Sequence, residues 1–208
     1  TASNDLADED GLGAISYQWN RGGAAVSGAT DATYTLTQAD VGSAITVTAS
    51  YTDAFNNAHS VTSTATSAVA NVNDAPTGAV TISGTATEDQ TLTAANTLAD
   101  EDGLGAISYQ WNRGGNAING ATGATHTLTQ ADVGAAITVT ASYTDAFNNA
   151  HSVTSSATAA VANVNDVPTG EVFISGSPIE DQALIASNNI VDKDGIGDAC
   201  PCAFSRSF

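Results

Sequence analysis

From Ala79 to Val161 apolar side chains recur at alternate positions in short runs, and between the runs the chain is polar and rich in glycine, asparagine and aspartate. Alternation of period two marks a strand with one buried face. The pattern predicts strands over 79–85, carrying Val80 and Ile82; over 91–95; over 107–111, with Ile107, Tyr109 and Trp111 on one face; and over 124–129. The longest is expected over 136–144, presenting Ile137, Val139, Ala141 and Tyr143 together, and the last over 152–161, with a further short strand at 117–118. Asn148-Asn149 suits a tight turn before the last strand, because asparagine tolerates left-handed backbone. No segment has helical periodicity. Six or seven strands separated by turn signals imply an all-β, antiparallel sandwich.

The same pattern occurs more than once. Trp19 recurs as Trp111, Asp8 as Asp100 and Asp192, and Pro76 as Pro168, each step being 92 residues. Residues 1–75 match residues 93–167 at 64 of 75 positions, an identity too high to be anything but a tandem repeat. Proline and the Asn-Asp pairs make Asn73–Pro76 and Asn165–Pro168 natural linkers. Cut there, the chain has a partial repeat over 1–75 that lacks its first strands, a complete repeat over 76–167 and the start of a third over 168–198. Residues 199–208 depart from the repeat and read as an aberrant tail. The first residue falls inside a repeat, so the chain is expected to be a piece of a longer protein.

Charge narrows the partners. The 22 acidic residues outnumber four basic ones and give a formal net charge of −18. Nucleic acid and anionic membrane surfaces would be repelled, and no run approaches the roughly 20 apolar residues of a membrane helix. The cysteines, Cys200 and Cys202, both lie in the tail, too close for an ordinary disulfide and without metal-ligand spacing.

Tyr109-Gln-Trp111 resembles the third strand of an immunoglobulin domain, whose tryptophan packs between the sheets, and Thr127–Gly134 resembles the turn into the sixth strand. Two immunoglobulin features are missing: the cysteine pair, and a tyrosine two residues beyond Gly134. The whole unit, with its Asn71-Val-Asn-Asp-Ala-Pro76 linker, is similar to the immunoglobulin-like or cadherin-like tandem repeats of giant bacterial surface proteins, including the extender regions of RTX-type adhesins. The resemblance implies tandem immunoglobulin-like sandwiches, a secreted or cell-surface location, and a stalk built by neighbouring repeats of one chain. Binding to a glycan or protein receptor would then belong to domains outside this stretch.

The acids cluster in the loops. In an immunoglobulin-like topology the loop after the second strand, with Asp100, Glu101 and Asp102, sits at the end nearest the incoming linker, and the loop with Glu88 and Asp89 sits at the opposite end. Stacking two repeats would gather Glu88, Asp89, Asn165, Asp166, Asp192 and Asp194, and by repetition Asp8 and Asp10, Asn73 and Asp74 with Asp100 and Asp102, and Glu180 and Asp181 occupy corresponding places. Clustered carboxylates repel unless a cation neutralises them, and Ca²⁺ accepts six to eight oxygens in irregular geometry. These residues are the candidate calcium ligands. Asp100–Gly105 imitates the start of an EF-hand, but the position of the bidentate glutamate is Trp111, so it is not one.

Other chemistry is weakly represented. Tyr17, Trp19 and Tyr51 alternate as core residues do, and Arg21 and Arg113 are expected to pair with nearby carboxylates. His126 replaces Tyr34, which argues against a shared catalytic role, and no nucleophile–base set or zinc motif has supporting context. The expectation is a non-enzymatic extender stiffened by calcium. The alternative is a multivalent carbohydrate- or protein-binding module, and head-to-tail self-association is a further expectation, with the third repeat's opening strands completing the first repeat of another molecule.

Overall fold

The computed structural model describes residues 1–195, so Cys200, Cys202 and the tail expected over 199–208 lie outside the described residues. The chain forms two compact units. The first contains Thr1–Pro76 with Asp100–Leu104 and Asp145–Asn149, and the second contains Thr77–Ala99, Gly105–Thr144 and the chain from Ala150 onward. Among the described residues no helix is long and apolar enough to cross a membrane.

In the first unit, β1 (Ser16–Arg21), β2 (Ala24–Ala25), β3 (Ile45–Thr52) and β4 (Ala58–Thr62) form an antiparallel sheet ordered β2-β1-β3-β4. The β1–β2 hairpin turns on Gly22 and Gly23, both at positive φ, which matches the right-handed twist of the flanking strands. Ile45 and Ala49 are buried, while Trp19 is half-buried and Leu36 exposed.

The second unit holds β5 (Val80–Ser83), β6 (Thr91–Asn96), β7 (Ser108–Arg113), β8 (Asn116–Ala117), β9 (Thr125–Thr127), β10 (Ile137–Thr144) and β11 (Ala150–Thr154). They make two antiparallel sheets, β5-β6-β9 and β11-β10-β7-β8, closed on one core. Val80, Leu92 and Ala94 come from one sheet and Trp111, Ile137, Val139, Ala141 and Tyr143 from the other, with Leu128 and Val161 between. The alternation that predicts the strands also fills the core, and the fold is all-β and sandwich-like.

The last strand is shorter than the 152–161 expected. It begins at Ala150 and ends at Thr154 because the pairing then falls out of step. Ser155 N–H donates to Val139 O, Thr158 N–H to Ile137 O and Val161 N–H to Ala135 O, so three residues advance against every two of β10. Each extra residue is a bulge. The hydroxyls of Ser155 and Thr158 repair the ladder by accepting from the N–H groups of Val139 and Ile137.

The start of the third repeat, β12 (Val172–Ser175) and β13 (Ile185–Asn188), pairs in the register of β5 and β6 shifted by 92 residues. Its apolar residues stay exposed, with Val172 at 67% and Leu184 at 53%, where Val80 and Leu92 are at 5% and 0%. Burial of this hairpin comes from a facing sheet and not from its own sequence.

Each complete turn of the pattern also buries an aspartate. Asp40 and Asp132 close short 3-10 turns, Gln38–Asp40 and Gln130–Asp132, where they accept the backbone N–H and hydroxyl of Thr37 and Thr129. Arg113 Nε donates to Asp132 Oδ1 at 2.8 Å, and Arg21 reaches Asp40 at 3.4 Å, as the sequence suggests for these arginines. Tyr34 stacks on Trp19 and donates to Asp40 Oδ2 at 2.9 Å. In the second unit His126 packs on Trp111 instead, and its buried Nε2 lacks a hydrogen bond while lying 3.4 Å from Asp132 Oδ2. Two predictions follow from this packing. His126→Tyr should restore the missing bond and raise the melting temperature by a few degrees, for a gain of about 1 kcal/mol. Trp111→Ala, emptying a fully buried site, should cost about 3–5 kcal/mol, and Trp19→Ala distinctly less; chemical denaturation of the two variants checks the order.

Candidate metal centre

Each acidic loop is built the same way. Asp8, Asp100 and Asp192 accept, through Oδ1, the backbone N–H two residues on, that of Asp10, Asp102 and Asp194, all at 2.9 Å. This Asx turn is a local property of the Asp-x-Asp-Gly sequence. In two of the loops it aims the second carboxylate at a linker: Asp74 N–H donates to Asp102 Oδ2, and Asp166 N–H donates to Asp194 Oδ2, both at 2.7 Å. The first Asp of each loop therefore shapes it, and the second meets the linker.

In the first unit Asp102 is 2% exposed and its Oδ1 accepts from Gln38 Nε2 at 3.0 Å, while Gln38 also reaches Asn71 Oδ1. Glu101 borders the same groove as Gln38 and Asp74. In the second unit Glu88, itself 2% exposed, joins the group. Carboxylate oxygens of Glu88, Asp166 and Asp194 all lie within 4.8 Å of one another. Glu88 Oε2 also accepts the N–H of Val164 in the linker, at 3.3 Å. The acidic end of one repeat, the linker and the first acidic loop of the next thus converge on one point.

Gln130 stands at that point. The two ends of its amide are nearly isosteric. With the nitrogen turned inward it donates to both Glu88 oxygens, at 2.9 and 3.0 Å, and to Asp194 Oδ1 and Asn163 Oδ1 at 3.3 Å. The N–H groups of Val164 and Asp166 add backbone donors to Glu88 Oε2 and Asp194 Oδ2. Lys193 Nζ, 3.4 Å from Asp166 Oδ1, supplies one charge from a largely exposed side chain. Three carboxylates and one ammonium leave a formal charge of −2. At an effective dielectric of about 20, each carboxylate pair at this separation repels by at least about 3 kcal/mol.

The remaining sequence candidates are spread out. Asp89 and Asp181 take up left-handed backbone in turns and are exposed, as is Glu180. Asn73 and Asn165 are exposed in the linkers, and Asn165 Nδ2 donates to Asp166 O. Asp10 is exposed. Asp8 has turned elsewhere: its Oδ2 accepts from Tyr51 Oη at 2.9 Å and lies 3.9 Å from His59 Nε2. Gln38, Asn71, Gln130 and Asn163 were not among the sequence candidates, although each pair recurs at the repeat spacing beside acids that were. The aromatic residues serve the core and its edges: Trp111 Nε1 donates to Gly123 O and Tyr109 Oη accepts from Asn96. No protein-family model matches the chain. No curated protein matches it either.

Asp40, Asp53 and Asp132 are held below the ordinary range. Asp53 falls to about 2, because the backbone N–H of Asn57, that residue's side-chain amide and His59 all donate to the charged form. Burial would raise Asp40 and Asp132, but it is outweighed by the donors, chiefly Thr37 and Tyr34 for Asp40 and Arg113 and Thr129 for Asp132. A carboxyl whose folded pKa is depressed adds stability that is complete above its unfolded value of about 3.9 and is lost as pH falls through the folded value. The melting temperature of the wild type should therefore drop between about pH 4 and pH 2 more steeply than that of Asp132→Asn, which should already be less stable at pH 7. Circular dichroism across that range checks the difference between the two, in which the relief of general acid–acid repulsion is shared.

Proposed function

We propose that the chain is a non-enzymatic extender segment of a secreted or cell-surface bacterial protein, resembling the immunoglobulin-like repeats of adhesin stalks, and that Ca²⁺ bound at its linkers stiffens it. The observation that carries this reading is the convergence of Glu88, Asp166 and Asp194 with Gln130 around the linker of the second unit. Strand order supports the resemblance. The sheets β5-β6-β9 and β11-β10-β7-β8 have the neighbour relations of the A-B-E and G-F-C sides of an immunoglobulin sandwich. The Trp111 core site and the near-identity of successive repeats fit the same reading.

Calcium is the ion the donor set favours. The carboxylate oxygens of Glu88, Asp166 and Asp194 are drawn from separated segments, and Ca²⁺ tolerates such irregular geometry better than Mg²⁺, which demands a near-ideal octahedron. The mechanical consequence follows from what the site ties together. One ion would cross-link the loop of Glu88, the linker at Asp166 and the loop of Asp194, and would fix three segments that otherwise repel. A linker so held cannot bend freely, and an array of such linkers extends reach in proportion to the number of repeats. Attachment to a glycan or protein receptor is assigned to domains outside this segment.

Binding to the folded state adds stability of RT ln(1 + [Ca²⁺]/Kd), about 2.7 kcal/mol at one hundred times Kd. Millimolar Ca²⁺ should raise the melting temperature of the wild type and a chelator should lower it again. Glu88→Gln and Asp194→Asn should lose most of that response, and Lys193→Ala, which removes the competing ammonium, should bind Ca²⁺ more tightly. A melting temperature indifferent to calcium and chelator overturns the proposal.

A further inference from the structure

The first unit carries a second cluster whose chemistry differs from that of the linkers. Tyr51 lies on β3 and His59 on the neighbouring β4, directly paired, with their rings stacked at 5.1 Å. Asp53, in the turn between these strands, is 7% exposed and has its Oδ1 occupied by the N–H groups of Phe55 and Asn57. Its Oδ2 faces His59 Nε2 at 3.1 Å. Asp8 arrives from the acidic loop before β1, and the Tyr51 hydroxyl holds its Oδ2 3.9 Å from the same nitrogen. The three ligand atoms lie within 4.8 Å of one another.

We propose that Asp8, Asp53 and His59 form a transition-metal site, suited to Zn²⁺ or a similar borderline divalent ion. Tetrahedral Zn²⁺ holds nitrogen and oxygen ligands at about 2.0–2.1 Å, which places neighbouring ligand atoms about 3.3 Å apart. The separations of 3.1 and 3.9 Å from His59 Nε2 bracket that value. An imidazole with two carboxylates selects zinc-like ions over calcium, which prefers oxygen alone. The ligands are also supported from behind: Asn57 and Phe55 fix Asp53, Tyr51 fixes Asp8, and the aromatic stack fixes the imidazole plane. The His59 side chain is 41% exposed, which leaves an approach for the ion and a fourth position for water. This site does not depend on the calcium reading.

The test is Zn²⁺ titration calorimetry on the full chain with Cys200→Ser and Cys202→Ser, in excess Ca²⁺ so that oxygen-only sites are filled. His59→Gln and Asp8→Asn should each bind one Zn²⁺ fewer than this parent, and Zn²⁺ should raise the parent's melting temperature more than theirs. His126→Tyr, at a histidine outside this cluster, should retain the equivalent. Equal zinc uptake by the parent and His59→Gln, or loss of the equivalent in His126→Tyr as well, overturns the assignment.

Discussion

A carboxylate withdrawn from water must be met by hydrogen-bond donors, by a cationic side chain or by a metal ion, since burial without compensation costs several kcal/mol. In a chain of net charge −18 with four basic residues, this constraint governs where every acid can stand. Asp132 is fully buried because Arg113 and both donors of Thr129 surround it. Asp53 is buried because its own turn folds three N–H groups onto it. Asp102 is met by the amide of Gln38 and the N–H of Asp74. Glu88 is as buried as Asp102 and is met likewise, by the amide of Gln130 and the N–H of Val164, but two further carboxylates, of Asp166 and Asp194, stand beside it.

The sandwich supplies the positions that make these encounters possible. Its sheets fix which loops lie at which end, and the Asx turns fix the direction of the carboxylates within them. Core packing and site geometry are therefore separable in sequence. Leu92, Trp111 and Ile137 determine that two sheets close, whereas the Asp-x-Asp-Gly loops and the Asn-Asp linkers determine what is presented where they meet.

Most of the fold was legible because period two is a local signal. β6, β7 and β10 fall within a residue or two of the runs from which they are expected. The end of β11 was not legible, since the excess of one residue at each step shows only when Val139 and Ile137 are set against Ser155 and Thr158. At the candidate centre, Glu88, Asp166 and Asp194 could be brought together on paper from the topology of stacked repeats. Gln130 and Asn163 could not, because neutral amides carry no charge signal and their neighbours are supplied by distant loops. Asp8 with Asp53 and His59 was hidden for the same reason: 45 residues of chain separate the first two, and only the pairing of β1 with β3 brings that loop to that turn.

The two proposed sites differ chemically although the acid content of the repeats is uniform. At the linker the proposed ligands are carboxylate oxygens from three segments, an arrangement that suits a large, geometrically tolerant cation. On the β3–β4 hairpin the ligands are few, one is nitrogen, and each is locked by a neighbour, which favours a smaller ion with strict geometry. The difference does not arise from how many acids are present. On these two proposals it follows from whether the backbone that carries the ligands is a linker with its flanking loops or the tight turn of a paired hairpin.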